Sequence, residues 1–394
     1  METVYVIEGA RTPFGSFGGS LKSISDIDLG VIASSEAIKR SAIPAEEIGH
    51  VFFGNVIHTT KSASYLARHI ALKSGLPEET PALTLNRLCG SGLQAVISAA
   101  QAIMLGDAQT ALAGGTENMS QAPHVLRDTR FGTGLKSPQM DDMLWATLTD
   151  AFIGCGMGMT AENLAEKYTI SRAEQDEFAF ESHRKAAAAK ESGRFKKEIV
   201  PVVLNENKKI QVTVSEDEHI KSETTVGKLG TLKPAFTKEG TVTAGNSSGI
   251  NDGAAAVVLA SEQYLNKNSH VKPLAKVVSW GIAGVDPKVM GIGPVPASRI
   301  ALSKAGLTLG DIDLVELNEA FAAQSLAVLK ELQLNREQVN INGGALALGH
   351  PVGASGARIL YSLALELNER KAKYGLASLC IGGGQGISLI LESV

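Results

Sequence analysis

The chain has 394 residues, of which 44% are hydrophobic and 20% are charged. It is too long for one ordinary hydrophobic core, so we expect two or three domains in a soluble globular protein. The formal net charge of −4 gives no general reason to expect a nucleic-acid partner.

The sequence carries no feature that predicts export or membrane insertion. Its first residues lack the basic start and long apolar stretch of a secretory signal. No apolar run approaches the roughly 20 residues of a membrane-spanning helix. The three cysteines, Cys89, Cys155 and Cys380, are odd in number and far apart, which does not indicate a disulfide framework. We therefore expect reduced thiols, a cytoplasmic location and no membrane partner.

Short strands alternate with helices at the start of the chain. The apolar pattern predicts, in chain order, a strand at Val4–Ile7, a helix at Leu29–Ser41, a strand at Val51–Phe53, a helix at Cys89–Leu105 and a strand at Gln109–Ala113 that ends in Gly114-Gly115.

The segment from about 120 to 249 is interpreted as an inserted cap. It contains a long helix whose start is marked by a capping box at Ser171 and Glu174 and whose end is marked by Gly193. A hairpin-like strand at Gln211–Val214 follows. The turn at 243–249 then returns the chain to the first half, whose last strand is predicted at Ala254–Ala260.

The remainder of the chain continues the alternation of helices and strands. We predict helices at Ala297–Ala305 and Ser355–Glu369, and strands at Leu314–Leu317 and Leu376–Cys380. Strands separated by helices favour mainly parallel sheets.

One internal repeat organises the chain. Residues 297–312 resemble residues 33–48, and the same offset of 264 residues maps 89–92 onto 353–356. Helix–turn–strand patterns that arose independently are the alternative, but one register across separate segments favours a duplication. We predict an amino-terminal half at 1–119 plus 250–268, a loop domain at 120–249 and a carboxy-terminal half at 269–394. A binding site is expected between the two halves.

Cys89 is the first candidate for chemistry. It lies in Asn86-Arg87-Leu88-Cys89-Gly90-Ser91-Gly92, immediately before an apolar helical pattern. A helix amino terminus stabilises a thiolate, and glycines let a substrate approach the backbone. We therefore expect a reactive thiol that is set up to ionise. The alternative from this motif alone is a small apolar residue at the start of a helix.

Three further candidates lie in the second half. His350, in a glycine-rich turn, is either a general base or a structural residue. The repeat places it near Cys89, because 353–356 corresponds to 89–92. Cys380 ends a strand at a glycine run and is either an acid/base thiol or a core cysteine. Asn318 follows a strand, where it faces a ligand crevice or caps a helix.

Together these motifs closely resemble those of the thiolase family, the acyl-CoA C-acyltransferases, over essentially the whole chain. The resemblance is carried by Asn86 to Gly92, Gly114 to Ser120, Asn318-Glu319-Ala320-Phe321, Gly343 to Gly356 and Cys380-Ile381-Gly382-Gly383-Gly384-Gln385-Gly386. It implies an α/β fold in which a duplicated, five-layered α/β/α/β/α arrangement carries an inserted loop domain.

The resemblance also implies roles for the candidate residues. Cys89 would be the nucleophile that accepts the acyl group, with His350 as its activator. Cys380 would handle the α-proton of the incoming acetyl-CoA. Asn318 would hold a water that forms one oxyanion hole with His350, and the backbone N–H groups of Cys89 and Gly382 would form the other.

Contacts with coenzyme A are implied in the same way. Ser248 and Met157 would lie along the pantetheine, and Ala320, Phe321 and Met290 would lie near the acyl end.

Two positions depart from the family pattern. Gly156 stands where short-chain biosynthetic relatives carry histidine. Lys221 stands where an arginine usually contacts the nucleotide end, and lysine cannot reproduce a planar guanidinium contact. These departures bear on acyl-chain preference and on coenzyme A affinity rather than on the chemistry.

The implied activity is that of an acetyl-CoA C-acetyltransferase, which joins two acetyl-CoA into acetoacetyl-CoA and CoA, or runs in reverse, through an acyl-cysteine. The nearest alternative is a degradative thiolase that cleaves longer 3-ketoacyl-CoA. A decarboxylating ketoacyl synthase and a non-catalytic acyl-CoA carrier are further alternatives, and the intact pair of cysteines argues against both. No metal or organic cofactor is implied, and a homo-oligomer, either a dimer or a homotetramer, is expected.

Overall fold

The computed structural model describes residues 2–206 and 210–394. Within these ranges the strands are β1 Val4–Arg11, β2 Gly15–Ser16, β3 His50–Gly54, β4 Ala82–Leu85, β5 Thr110–Asn118, β6 His124–Leu126, β7 Met140–Asp142, β8 Thr149–Asp150, β9 Cys155–Gly156, β10 Val202–Glu206, β11 Ile210–Val214, β12 Asn251–Ser261, β13 Ala275–Gly284, β14 Leu314–Leu317, β15 Tyr374–Ile381 and β16 Gln385–Ser393.

The helices of the same ranges are α1 Asp26–Ser41, α2 Leu66–Lys73, α3 Ser91–Leu105, α4 Met143–Leu148, α5 Met157–Lys167, α6 Arg172–Glu191, α7 Val226–Gly230, α8 Glu262–Lys267, α9 Pro294–Ala305, α10 Ala322–Leu332, α11 Ala345–Leu348 and α12 Ser355–Arg370.

A single large sheet runs through both halves in the order β14-β15-β16-β13-β1-β12-β5-β3-β4, and β2 pairs with β12. The halves join where β1 lies antiparallel to β13. The expectation of mainly parallel pairing is wrong. Only β3 with β4, β3 with β5 and β14 with β15 are parallel among the described pairs. A tight turn joins β15 to β16, with Gly383 and Gly384 at positive φ, and so short a connection permits only antiparallel neighbours.

The internal duplication is confirmed by the element boundaries. Strands β3 and β14 begin at His50 and Leu314, 264 residues apart. The same spacing separates the starts of α3 and α12, at Ser91 and Ser355, and those of β5 and β15. The domain boundaries within this repeat stay a prediction.

Five layers follow from how the apolar faces are covered. The central layer holds α3 and α12, which contact each other and bury Val96 and Ile359 between the inner faces of the sheet. Helices α1 and α2 cover the outer face of the first half. Helices α9 and α10 cover that of the second half, where α5 and α6 of the insert also pack. This is the predicted α/β/α/β/α arrangement.

Helix α3 explains the one membrane-like segment of the described chain. Contrary to the expectation from sequence, Leu88–Leu105 is long and apolar enough to cross a membrane, with a mean hydropathy of 1.5. Much of it, 61%, is buried inside the protein. A helix covered on all sides by two halves of a sheet needs apolar residues around its whole circumference, which is the simplest account of this composition.

The insert is fixed to the first half by buried charges. Arg11, at the end of β1, donates to both carboxylate oxygens of Asp217, at 2.7 and 2.8 Å, and to Glu198 at 2.8 Å. All three side chains are almost completely buried. The predicted capping box at Ser171 and Glu174 starts α6, and the chain turns at positive φ two residues after its end.

Strand β5 continues beyond its predicted end at Ala113. It runs through Gly114 and Gly115 to Asn118, buried along its whole length. A Cβ atom at Gly115 would overlap the carbonyl of Gly353. The glycine is therefore needed because the turn that contains His350 lies directly against this strand.

The central helices approach each other at two glycines that correspond in the repeat. A Cβ atom at Gly92 would lie 2.6 Å from the backbone nitrogen of Ala357, and one at Gly356 would overlap the backbone nitrogen of Leu93. Backbone atoms cannot move aside as a flexible side chain can. The contact between the halves therefore depends on glycine at both positions.

We expect Gly92→Ala to lower the free energy of unfolding by about 1–3 kcal/mol, because the added methyl forces the two helices apart. Denaturant unfolding of the purified variant measures this change. Gly227→Ala is the matched control, since its Cβ would meet nothing closer than Thr225 Oγ1 at 3.9 Å. An equal loss of stability in both variants would contradict the close-contact explanation.

Candidate active site

Cys89 lies in a tightly bonded loop between β4 and α3. Asn86 Oδ1 accepts the N–H of Leu88 at 2.8 Å, and Ser91 Oγ accepts that of Arg87 at the same distance. These bonds hold Leu88 at a φ of +48°, which a branched side chain rarely adopts. The loop therefore fixes the direction in which the next residue, Cys89, presents its thiol.

The predicted ionisation of Cys89 is not what the structure favours. Helix α3 begins at Ser91, two residues after the cysteine, and Cys89 is half-buried. Desolvation by the surrounding protein and, to a lesser extent, the charge of Glu117 raise the pKa of the thiol. The backbone N–H groups of Gly382 and of Cys89 itself lower it, and the net result is a pKa of about 11. Cys89 therefore rests as a neutral thiol, and a base must take its proton.

Cys380 lies beside Cys89, at the end of β15. Its side chain is buried, and desolvation raises its pKa, with the neighbouring Cys89 raising it further. The chain then turns through Gly382, whose N–H acts on the Cys89 thiol. The structure thus brings Cys89, Cys380 and Gly382 together from opposite ends of the chain.

His350 is held by neutral partners in the turn before α12. Its backbone N–H donates to Asn251 Oδ1 at 3.0 Å, and its Nδ1 lies 2.6 Å from Ser355 Oγ. Ser355 donates its only proton to the carbonyl of Pro351 at 3.0 Å. It therefore accepts from Nδ1–H, and this assignment puts the lone pair of His350 on Nε2, the nitrogen that can act as a base.

Burial keeps this imidazole uncharged. Desolvation, and to a lesser extent the positive charge of Arg358, lowers the pKa of His350 to about 3. Arg358 is itself buried in α12 and donates to Glu316 at 3.0 Å. At neutral pH His350 is therefore a neutral imidazole, as Cys89 and Cys380 are neutral thiols.

Asn318 joins the site from the end of β14. Its Nδ2 lies 3.4 Å from His350 Nε2, and its Oδ1 is buried with no hydrogen-bond partner among the described residues. The alternative of a helix cap is wrong, because α10 begins at Ala322 with Phe321 as its cap residue. Asn318 is instead a buried polar group turned towards the histidine.

The residues expected near the acyl and pantetheine groups surround Cys380. One apolar cluster contains Met157, Met290, Ala320, Phe321 and Cys380. The backbone N–H of Ser248 donates to the carbonyl of Ala320 at 2.9 Å, which places Ser248 beside that cluster. A cleft of about 280 Å³ opens next to it, lined in part by Leu88, Met157 and Gly382.

Lys221 is separate from these residues. It lines a second cleft, of about 270 Å³, with His183, His219 and Lys228. Its backbone N–H donates to His183 Nδ1 at 3.2 Å. Desolvation lowers the pKa of each histidine to about 4, so both are neutral and the lysines supply the positive charge of this cleft.

Sequence reasoning missed four residues that act on the site. They are Glu117, Asn251, Ser355 and Arg358. Glu117 and Ser355 lie inside motifs described above, but the local sequence does not indicate a role for either. Asn251 and Arg358 gave no local signal. Across the described ranges, no three His, Cys, Asp or Glu side chains cluster as a metal site requires.

Comparisons with known proteins agree on one family. Residues 4–263 match the family described as thiolase, N-terminal domain, and residues 271–393 match thiolase, C-terminal domain. The chain is 50% identical over 392 residues to beta-ketothiolase BktB of Cupriavidus necator, covering 99% of each chain. It is 52% identical over 396 residues to an acetyl-CoA acetyltransferase of Syntrophomonas wolfei, again covering 99% of each.

A solved structure extends the likeness to the fold. A crystal structure of human mitochondrial 3-ketoacyl-CoA thiolase superposes with a TM-score of 0.97 at 48% identity, covering 100% of this chain and 99% of that one. The human protein in complex with CoA superposes with a TM-score of 0.96 at 48% identity, covering 100% of this chain and 98% of that one.

Proposed function

Because the chain belongs to the thiolase family of acyltransferases, we propose that it is an acetyl-CoA C-acetyltransferase. It would join two acetyl-CoA into acetoacetyl-CoA and CoA, or run the reaction in reverse. One observation carries the proposal, namely that two thiols, Cys89 and Cys380, lie together in a buried site beside the Gly382 N–H. Condensation of thioesters needs one thiol to carry the acyl group and a second group to handle the α-proton.

In the first half-reaction Cys89 becomes acetylated. His350 Nε2 accepts the thiol proton while the Cys89 sulfur attacks the thioester carbonyl. The bond to the CoA sulfur then breaks, and Cys380 gives its proton to the departing CoA thiolate. A thiol whose pKa burial has raised holds its proton until a thiolate appears beside it. The products are acetyl-Cys89, free CoA, a Cys380 thiolate and a protonated His350.

In the second half-reaction a carbon–carbon bond forms. The Cys380 thiolate takes an α-proton from a second acetyl-CoA, and the resulting enolate attacks the acetyl carbon on Cys89. The bond to the Cys89 sulfur breaks, and His350 returns the proton to that sulfur. All three side chains are then neutral again, as in the resting site.

Charge balance supports this division of labour. Each proton transfer leaves the three side chains and the bound substrate together without net charge, because a Cys380 thiolate, a CoA thiolate or an enolate is present only while His350 is protonated. A buried site that disfavours each separate charge tolerates such a pair better than a single ion. The N–H groups of Cys89 and Gly382 both act at the Cys89 sulfur, which supports the proposal that they would bind a developing oxyanion. Asn318 and His350 would form the second oxyanion site through a water.

Coenzyme A thioesters are the proposed substrates and partners, namely acetyl-CoA, acetoacetyl-CoA and CoA. The apolar cluster with Met157, Met290 and Phe321 would hold the acyl end and pantetheine. Lys221 and Lys228, in the second cleft, would attract the anionic nucleotide end. The solved complex of the human relative with CoA supports coenzyme A as the ligand class.

A second candidate is a thiolase that cleaves longer 3-ketoacyl-CoA. A Cβ atom at Gly156 would meet only the carbonyl of Leu148, at 3.6 Å, so space is open at this position. Relatives of about equal identity carry both kinds of name. The test is CoA-dependent cleavage of acetoacetyl-CoA beside a long-chain 3-ketoacyl-CoA. Preference for the short substrate supports the proposal, and preference for the long one favours the second candidate.

We expect Gly156→His to lower cleavage of the long substrate by about 10-fold or more while cleavage of acetoacetyl-CoA changes little. The backbone there, at φ −74° and ψ 160°, accepts any residue, so the imidazole fills the open space without strain. The ratio of kcat/KM for the two substrates measures the effect. Gly310→His, where a Cβ also has room, is the matched control. Equal losses on both substrates would contradict a role in chain length.

Two alternatives from sequence have less support. A decarboxylating ketoacyl synthase uses one cysteine with two histidines or with histidine and asparagine, so the buried Cys380 beside Cys89 argues against it. A non-catalytic carrier has no need of either thiol. Failure of wild-type protein to form an acetyl adduct on Cys89 would favour the carrier.

The remaining expectations also stand as proposals. We propose that no metal or organic cofactor takes part, that the protein forms a homo-oligomer, either a dimer or a tetramer, and that it is cytoplasmic. Its three free cysteines support a reducing compartment. The human relative carries a mitochondrial name, whereas other relatives are bacterial.

A further inference from the structure

Glu117 is a buried carboxyl group that the proposed mechanism does not use. It lies near the end of β5 with no exposed surface. Its Oε2 accepts the N–H groups of Val56 and Gly353, each at 3.0 Å, and its Oε1 accepts that of Ile57 at 3.0 Å. The Nδ2 of Asn55 lies 3.4 Å from Oε1. Three backbone N–H groups and one side-chain amide group therefore surround this one carboxyl group.

The segments that meet at Glu117 carry different parts of the active site. Val56 lines the cleft next to Leu88 and Gly382. Gly353 lies in the turn that begins at His350 and leads into α12. Cys89 is close enough for the charge of Glu117 to act on its thiol. One carboxyl group thus links the cleft wall and the histidine turn, next to the nucleophile.

The hydrogen-bond partners of Glu117 indicate which protonation state of its carboxyl group links these segments. All of them donate, and an ionised carboxylate accepts from each. A protonated carboxyl would direct its own O–H at donors and would lose one of these bonds. The links between the segments are therefore complete only in the carboxylate form.

We propose that Glu117 is a positioning residue of the reaction, whose carboxylate holds the 55–57 loop and the Gly353 turn in fixed relation to Cys89. The inference rests on the proposed thiolase chemistry and is independent of the acyl-chain length. Glu117 touches no reacting atom in this scheme. It acts through the backbone of Val56, Ile57 and Gly353, in the cleft wall and the turn that follows His350.

The ionisation of Glu117 supplies a readout that a purely structural residue would not give. Burial raises the pKa of Glu117 to about 8, although its backbone donors lower it and the charge of Asp26 raises it. The titratable groups that interact with Glu117 are Cys89 and Asp26, which lies at the start of α1. The charge of His58 in turn acts on the carboxyl group of Asp26. The carboxylate form therefore increases as pH rises through this range, and kcat is expected to rise with it.

The test compares Glu117→Gln with Glu319→Gln. Glu319 is an equally buried carboxyl that accepts from Ser182 Oγ at 2.6 Å and Asn340 Nδ2 at 2.7 Å. For E117Q we expect kcat on acetoacetyl-CoA to fall by about 100-fold, because a small misplacement of reacting groups lowers the rate by about that factor. The rise of kcat with pH should disappear in E117Q and persist in E319Q.

Thiol alkylation gives a second, independent readout. Removing the charge of Glu117 lowers the pKa of Cys89, so iodoacetamide should modify Cys89 faster in E117Q than in wild type. Cys155 serves as the internal reference in the mass spectrum. A slower enzyme with a more reactive nucleophile is not the outcome of general unfolding, which would expose both thiols.

Two results overturn the inference. One is wild-type kcat in E117Q, and the other is a lowered kcat that still rises with pH as in wild type. If E117Q does not fold, Glu117→Asp is tested in its place. Aspartate keeps the carboxylate, but its side chain is one methylene shorter, so the carboxylate no longer reaches all of its donors. That variant should lose kcat while keeping the pH dependence, and unchanged kcat there also overturns the inference. Absence of turnover in wild type would instead reject the proposed function.

Discussion

Replacing Cys380 by alanine is expected to abolish carbon–carbon bond formation while Cys89 still becomes acetylated. Cys380 is the group beside the nucleophile that can take the α-proton, and losing a positioned acid/base costs about 10²- to 10⁴-fold in rate. Acylation should slow less, because the departing CoA thiolate can leave without a proton. Rates of condensation and thiolysis measure the first effect, and the mass of the acetylated protein measures the second.

The Cys380→Ala result has a clear control and a clear contradiction. Cys155→Ala removes the remaining half-buried thiol of the chain and should leave both measurements unchanged. Full condensation activity in C380A would reject the acid/base role of Cys380. Loss of the acetyl adduct together with condensation would instead mean that the variant damages the nucleophile.

Replacing Cys89 by alanine is expected to remove activity altogether, with a loss on the order of 10⁶-fold, as for other enzymes that lose a covalent nucleophile. The strained loop at Leu88 presents only this thiol to the Gly382 N–H, and Cys380 has no such donor pair among its described neighbours. Incubation with acetyl-CoA followed by peptide mass spectrometry should find one acetyl group, on Cys89 in wild type and on no residue in C89A.

Cys89→Ser separates loss of the thiol from loss of shape. Serine keeps the size and the loop hydrogen bonds, but its hydroxyl is a far weaker acid and is not activated by a neutral imidazole as readily. We expect little or no adduct in C89S and a stability close to wild type in thermal unfolding. An adduct on Cys380 in either variant would show that the two thiols had been assigned the wrong roles.

The stability of the inner helix pair is linked to these predictions. Gly92 lies three residues after Cys89. Gly356 lies next to Ser355, whose hydroxyl group is hydrogen-bonded to His350 Nδ1 and orients that side chain. The close contact between α3 and α12 therefore also fixes the relative position of the Cys89 loop and the His350 turn. A variant that separates the helices should reduce kcat as well as stability.

Several features of the site could be predicted because they depend only on short sequence motifs. Cys89, His350 and Cys380 each lie in glycine-rich turns, and the 264-residue repeat predicts, without any knowledge of the fold, that the first two lie near each other. That proximity stays a prediction. The same repeat predicts two similar halves, which the starts of α3 and α12 confirm. The capping box at Ser171 is local as well and begins α6 as predicted.

Other expectations failed because they extended a local rule to a property of the whole molecule. The helix dipole suggested an ionised Cys89, but desolvation by residues distant in sequence outweighs it. The alternation of strands and helices suggested parallel pairing, but the order of strands within the sheet depends on which halves meet and on the length of each turn. The sequence was expected to contain no apolar run near the length of a membrane span, but Leu88–Leu105 is such a run, and it is largely buried inside the protein.

The family, the duplicated architecture and the residue types that the proposed chemistry requires could all be predicted from the amino-acid sequence. The charge states of these groups, the tautomer of His350 and the hydrogen bonds that hold the turns could not, because pKa values and hydrogen-bond partners depend on every atom nearby. Glu117, whose partners lie more than 50 residues away in either direction, is the clearest example.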